Sequence, residues 1–322
     1  MNKPLRRLPA EWEPQDAVLL AWPHAGTDWA PVLKEACNTF DAIASTISLF
    51  QKVIIVRPDR YDVPTNDTWT RDYGPITVEE EGQPVLLDFT FNGWGGKYPA
   101  DKDHAVTRNL HQQGAFGKTR LRSIDMVLEG GSIESDGEGT LLTTAKCLLN
   151  SNRNPRMTKE QVEERLSEEL GVKRILWLEH GELAGDDTDA HIDTLARLCP
   201  NKTILYVSCN DPADEHYDEL KAMERELESF EDYRLLPLPW PSARFDAEGN
   251  RLPATYANYL VINGAVLVPT YNDPADEHAL EVVQKAFPDR EIVGIDCRTL
   301  ILQHGSLHCA TMQIPAGVLC IN

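Results

Sequence analysis

NDPADEH stands at residues 210–216 and again, unchanged, at 272–278, and the reading of that repeat decides the fold. Each copy follows an apolar β-like run, TILYVSC (203–209) or AVLVPTY (265–271), and leads into an acidic stretch of helical composition. An Asn-Asp-Pro turn is expected to start a helix there. Its proline would sit early and its carboxylates in the first turn, where the helix dipole favours them. A shared heptapeptide offset by 62 residues is the mark of an internal repeat.

The same order of elements recurs elsewhere. VLLDFTF followed by YPADKDHAVTRNL gives a copy around 85–110, TLLTTAKCLLN followed by NPRMTKEQVEERL another at 140–166, and AVLLAWPHAGTDW followed by APVLKEACNTF a looser one at 17–40. A second β-run follows each helix: KVIIVRP (52–58), RLRSIDMV (120–127), KRILWLE (173–179), YRLLPLP (233–239) and EIVGIDC (291–297). A third segment with unusual polar residues comes after each of those. The chain thus reads as five strand–helix–strand–strand units of roughly 50–75 residues, each joined closely to the one before. Five like units stack poorly as an uncapped solenoid, whereas radial closure leaves only short, protected strand edges. The sequence predicts an α/β propeller with pseudo-fivefold symmetry, a single domain over residues 1–322.

Bulk properties narrow the function. Hydrophobic content of 42% and charged content of 25% are those of a soluble globular protein. No apolar run approaches the ~18–20 residues that spanning a bilayer takes, so no membrane role is expected. MNKPLRRLPAEWEPQD has no apolar stretch after its basic residues, so no secretory signal is expected. Seven cysteines, an odd number without a CxxC pair, indicate reduced thiols and a cytoplasmic protein. Six of them, Cys37, Cys147, Cys199, Cys209, Cys297 and Cys320, read as small core residues. A net charge of −20 argues against nucleic acid and suits a small cationic substrate.

The third segments carry the chemistry. They hold Asp72 in WTRDYGPITV, Glu129 in EGGSIESDG, His191 and Asp193 in HIDTLARL, Asn258 in TYANYLVIN and Cys309 in LHCATMQIP. Corresponding positions in five closed units converge on one axis. Read as strands, these segments place His191 and Asp193 on one face and His308 opposite Cys309, so His191 is the candidate base and His308 a packed residue. A thiolate attacks a carbon electrophile, and surrounding carboxylates suit a substrate that stays cationic, such as a guanidinium. Its planar fork matches Asp72 and Asp193 while Cys309 reaches the central carbon. The alternative is a divalent metal held by GDDTDAHID (185–193), which leaves Cys309 unexplained. Trp94 in GWGGK reads equally as pocket wall or as packing.

PAEWEPQDAVLLAWP (9–23), TWTRDYGP (68–75), FNGWGGKY (91–98), LEGGSIESDGEGTLLTT (128–144), LNSNRNP (149–155), GDDTDAHIDTLAR (185–197), YANYLVINGAVLVPTYND (256–273) and GSLHCATMQIP (305–315) together resemble the agmatine deiminases. That family is close to the bacterial-type peptidylarginine deiminases, in the guanidine-modifying pentein superfamily. The resemblance implies a pentein five-bladed α/β propeller and hydrolysis of agmatine to N-carbamoylputrescine and ammonia, in polyamine metabolism and putrescine biosynthesis. It implies Cys309 as the nucleophile of a covalent thiouronium intermediate and His191 as general acid/base. It implies Asp72 and Asp193 as guanidinium anchors, Glu129 as support for histidine and substrate, Trp69 as the aromatic cover and Asp187 as the partner of the far amine. No cofactor and no metal are implied, and a homodimer is compatible.

Three positions depart from the family pattern: Ala190 replaces a glycine before the histidine, Asp187 a longer glutamate, and QHGSLHC a glycine-rich GGGNIHC. A methyl group at 190 meets a backbone that calls for glycine-like freedom. Free or peptidyl arginine as substrate would need a cation for the carboxylate. Arg71 and Arg197, the arginines near these segments, read on a strand as out of phase with or distant from the catalytic face, Arg71 with a structural salt-bridge role. The acidic run 185–189 favours agmatine's amine. The remaining alternatives are another amidine chemistry, such as amidine transfer or hydrolysis of a methylated arginine, and a non-catalytic polyamine-binding scaffold.

Overall fold

The computed structural model describes residues 5–319. Its plan follows from five apolar segments that are buried almost throughout: Gln15–Ala21, Gln83–Thr90, Thr140–Thr144, Thr203–Val207 and Ala265–Thr270. Runs buried on both faces belong in the middle of a covered sheet, and each is the middle strand of its own sheet.

Every sheet repeats one pattern. A short strand pairs antiparallel with the middle strand, which pairs parallel with a third; in one sheet these are Ala196–Cys199, Thr203–Val207 and Arg234–Leu238. A parallel neighbour needs a crossover, and the helices Leu33–Ser48, Asp103–Gln112, Lys159–Leu170, Tyr217–Glu228 and Asp276–Ala286 supply it. The third strands are half exposed, alternating in and out as in Arg174–Leu178. Lys159–Leu170 has both its stops encoded locally, a Thr158/Gln161 capping box and a left-handed Gly171. One sheet is closed across the chain: Met312–Pro315 pairs with Gln15–Ala21, with Met312 opposite Leu19. An added strand, Arg6–Arg7, extends the second sheet, and a small ribbon joins Arg244–Phe245 to Arg251–Leu252.

Three expectations need correction. First, each third segment does form a strand, but its polar residues stand in the turn before that strand and not on it. Asp72 lies in the one-turn helix Thr70–Tyr73, Asp193 in the 3₁₀ turn Ile192–Thr194 with His191 just before it, and Glu129 just before another such turn. Asn258 and Cys309 also stand outside any strand. The chain must cross from the outer strand of one sheet to the inner strand of the next, and a tight turn makes that crossing. Second, the first NDPADEH precedes its helix, which begins at Tyr217, so its carboxylates are not in the first turn; the second places Asp276 and Glu277 there. Third, Cys37 is only half-buried; Cys147, Cys199, Cys209 and Cys297 are core thiols, and Cys320 lies outside the described residues. The six described cysteines are all free. Among the described residues no helix is long and apolar enough to cross a membrane.

Candidate active site

The five crossings bring Asp72, Glu129, His191, Asp193, Asn258 and Cys309 together in the buried interior. Gly131 makes the approach possible. A β-carbon built on it would lie 2.7 Å from His191 Nδ1, 2.8 Å from Asp72 Oδ1 and 3.1 Å from Asp193 Oδ2. Its N–H donates to Asp72 Oδ1 at 2.9 Å, and the Trp94 indole N–H donates to Asp72 Oδ2 at 2.9 Å. Trp94 is therefore part of the pocket. The Asn258 amide donates to Cys309 Sγ at 3.2 Å, and Cys309 Sγ lies 3.8 Å from Asp193 Oδ2.

These groups lie at and beneath a pocket of about 430 Å³ lined by Trp69, Trp94, Tyr98, Asp72, Cys309 and the rim carboxylates Asp28, Asp67 and Asp187. Trp69 packs so closely on Gly305 that any side chain there would meet its ring at 2.5 Å. Asp187 accepts a hydrogen bond from Tyr98 Oη at 2.7 Å. Among the described residues no lysine or arginine lines the pocket.

Burial and mutual repulsion set the charges. Burial, then the charge of Asp193, pushes the Asp72 carboxyl well above the usual range. Asp193 goes the other way: burial raises it, but the His308 hydrogen bond and charge bring it below its ordinary value. Burial, with Asp193 and Asp72, pushes the Cys309 thiol well up, so it is protonated in the empty pocket. Burial lowers His191 to about 3, leaving a neutral imidazole. Neither His191 nitrogen has a hydrogen-bond partner, nor do Glu129 Oε2 and Asp193 Oδ1. His191 Nδ1 lies 3.6 Å from Asp72 Oδ1.

The donors of 185–193 do not converge on one point. Asp186 caps the N–H groups of Thr188 and Ala190, Asp189 pairs with Lys97 and Arg153, and Asp187 faces the pocket. A different trio, Glu129, Cys147 and His191, has ligand atoms within 4.8 Å of one another, but Arg153 Nε donates to Glu129 Oε1 at 2.7 Å and supplies the positive charge there. The expected strain at Ala190 is present, at φ +66°.

Several residues were quoted in the sequence motifs without a role. Arg153, in the centre of LNSNRNP, ties Glu129 to Asp189 and to the Thr188 carbonyl. Glu11, from PAEWEPQ, joins Arg71, Arg197, Glu134 and His308 in a buried charged layer. Arg71 is in a buried salt bridge, as expected, and Arg197 joins the same layer. Asp28 and Asp67 had no motif signal at all. His308 is packed, and it and Cys309 do face different cavities: His308 lines a second one of about 520 Å³, with Glu11, Arg71 and Glu134.

The family model of the Porphyromonas-type peptidyl-arginine deiminases matches residues 7–315. A Latilactobacillus sakei protein called "Putative agmatine deiminase" is 37% identical, over 97% of this chain and 96% of its own length. Among solved structures, a "Putative Arginine Deiminase" from Porphyromonas gingivalis is 50% identical at a TM-score of 0.93, covering 97% of this chain and 99% of the other. A C. jejuni agmatine deiminase with substrate bound is 41% identical at a TM-score of 0.92, covering 96% of each. Dimethylarginine dimethylaminohydrolase, at 13% identity and a TM-score of 0.57, shares the mixed α/β fold.

Proposed function

This chain belongs to the Porphyromonas-type peptidyl-arginine deiminase family, and from that premise we propose that it hydrolyses agmatine to N-carbamoylputrescine and ammonia. The observation that carries the choice of substrate is the pocket wall, with Asp28, Asp67, Asp72 and Asp187 and, among the described residues, no lysine or arginine. Agmatine is cationic at both ends. Arginine and peptidyl-arginine would each bring a carboxylate or a neutral chain to that acidic rim. The same crossings support a closed five-bladed α/β propeller, one pentein catalytic domain with the site on its axis.

The guanidinium is gripped by Asp72 and Asp193 beneath Trp69, and the amine lies at the rim by Asp187. The incoming cation offsets the two carboxylates that hold the Cys309 thiol up. The thiol proton passes to neutral His191, and the sulfur bonds to the guanidinium carbon. His191 returns the proton to a terminal nitrogen, the C–N bond breaks and ammonia leaves a Cys309 thiouronium. Glu129, held by Arg153, supports the imidazole. Water, deprotonated by His191, then adds to that carbon; the C–S bond breaks, giving the ureido product and free thiol. The setting is polyamine metabolism in the cytoplasm.

Ammonia release from agmatine, arginine and a peptidyl-arginine, each with and without EDTA, tests the reading. Release from agmatine alone, unchanged by EDTA, is expected. Turnover of an arginine substrate instead would overturn the role given to the acidic rim, and loss of activity with EDTA would overturn the thiol mechanism.

A further inference from the structure

The group that sets the charge of the guanidinium anchor lies outside the pocket. His308 Nδ1 is 2.7 Å from Asp193 Oδ2, and its Nε2 is 2.6 Å from Glu11 Oε2. Ionised carboxylates only accept hydrogen bonds, so both ring nitrogens act as donors and the ring is an imidazolium between two carboxylates. Arg197 Nη2, 3.0 Å from Nε2, has its own acceptor in the same Glu11 oxygen at 3.0 Å. The other groups facing the ring are accounted for. Arg71 lies 3.6 Å from Glu11, Glu134 is paired with Arg197, the Asn258 side chain accepts from the His308 backbone N–H at 2.9 Å, and Cys309 turns into the other cavity. Burial and the charges of Arg197 and Arg71 outweigh Glu11 and Asp193 and bring the His308 pKa below its ordinary value. Against that stands the geometry, two short carboxylate contacts that only a ring protonated on both nitrogens can donate to.

We propose that His308 is a positioning residue for deimination: held by Glu11, it fixes Asp193 ionised and aimed at the guanidinium. This rests on the reading of Asp193 as a guanidinium anchor. Asp72 and Asp193 each have an oxygen near one β-carbon position, and the charge of Asp193 raises Asp72, as neighbouring carboxylates do to each other. His308 breaks the tie. It stabilises the negative charge on Asp193 from behind, through a hydrogen bond the substrate does not compete for, and leaves the proton on Asp72. The orienting carboxylate of the relay, Glu11, comes from the opposite end of the sequence.

The test is the pH profile of kcat/KM for agmatine in the wild type, His308→Asn and Glu11→Gln. Asn keeps a donor toward Asp193 without the charge; Gln keeps the ring in place without its counter-charge. In both, the acid limb should move up by about one pH unit, the size of shift a lost neighbouring charge gives. The loss should fall on kcat/KM more heavily at low pH than at high. A folded variant whose acid limb stays at the wild-type position overturns the proposal, since a purely structural role lowers activity at every pH alike. If neither variant folds, ¹⁵N spectra of histidine-labelled wild type decide it. One ring that stays doubly protonated across neutral pH is expected, and none overturns it. Wild-type protein silent on every guanidine would overturn the deiminase reading instead, and the spectra would still report the state of His308.

Discussion

Two buried clusters of charge lie back to back in this molecule and are built on opposite terms. In the rear layer each ionic group has an opposite charge within 4 Å: Glu11 meets Arg197 at 3.0 Å, Arg71 at 3.6 Å and His308 at 2.6 Å, and Glu134 is taken by Arg197. In the front cluster both nitrogens of His191, Glu129 Oε2 and Asp193 Oδ1 have no hydrogen bond. A buried polar atom without a partner costs free energy, and the fold could have satisfied these as it did the others. The rear layer also leaves one atom, Arg71 Nη2, without a hydrogen bond, but its charges are balanced in pairs, whereas the front cluster gathers carboxylates around a neutral imidazole.

If that division is right, the two clusters fail differently. Cys309→Ala should cost on the order of 10⁴-fold or more in kcat while the urea midpoint barely moves; substantial turnover in that variant would remove the nucleophile from the mechanism. Arg197→Met should do the reverse, leaving Glu134 and Glu11 buried and unpaired at a cost of about 3–5 kcal/mol of stability, the usual penalty for breaking a buried pair. Wild-type stability in that variant would erase the contrast. The front cluster should also exchange protons with its ligand. Burial and Asp193 push the Asp72 carboxyl well up and a guanidinium favours its ionised form, so agmatine binding should be accompanied by proton release. Calorimetry of Cys309→Ser in buffers of different ionisation enthalpy measures this, and proton uptake would reverse the assignment. The smallest effect belongs to Ala190. Its left-handed backbone costs about 1 kcal/mol, partly offset in a glycine variant by the freer unfolded chain. Ala190→Gly should therefore stabilise by less than about 1 kcal/mol in urea unfolding, and a loss of stability would show that the methyl group packs usefully.

Much of this architecture is legible in the sequence because each repeat carries its own local signals. Buried middle strands carry apolar and β-branched runs such as TILYV, and Thr158 with Gly171 writes both ends of one helix. What local sequence does not carry is tertiary context, and NDPADEH shows it. In the first copy His216 is buried, and its Nε2 accepts from the Ala184 N–H at 2.8 Å. In the second, His278 stands on the surface beside Glu281. Seven identical residues thus start their helices at different points and hold different neighbours. The first copy holds the loop at Ala184 through His216, and the second the loop at Ser242 and Arg244 through Asp273. The same gap explains the site. Cys309, His191, Asp72 and Asp193 stood out as polar residues at matching positions of five units. Their turn geometry, the Glu11 layer and the rim residues Asp28 and Asp67 depend on contacts across the chain, which no window of sequence contains. His308 looked like packing because its partners lie at residues 11 and 193.

The pairing of Met312 with Leu19 has a consequence in time as well as in space. Bringing residues so distant in sequence together closes a long loop, which is a slow kind of contact to make. Cys309 lies three residues before that strand. If its thiol is the nucleophile, activity in a refolding assay is expected to return with that closure and not before it.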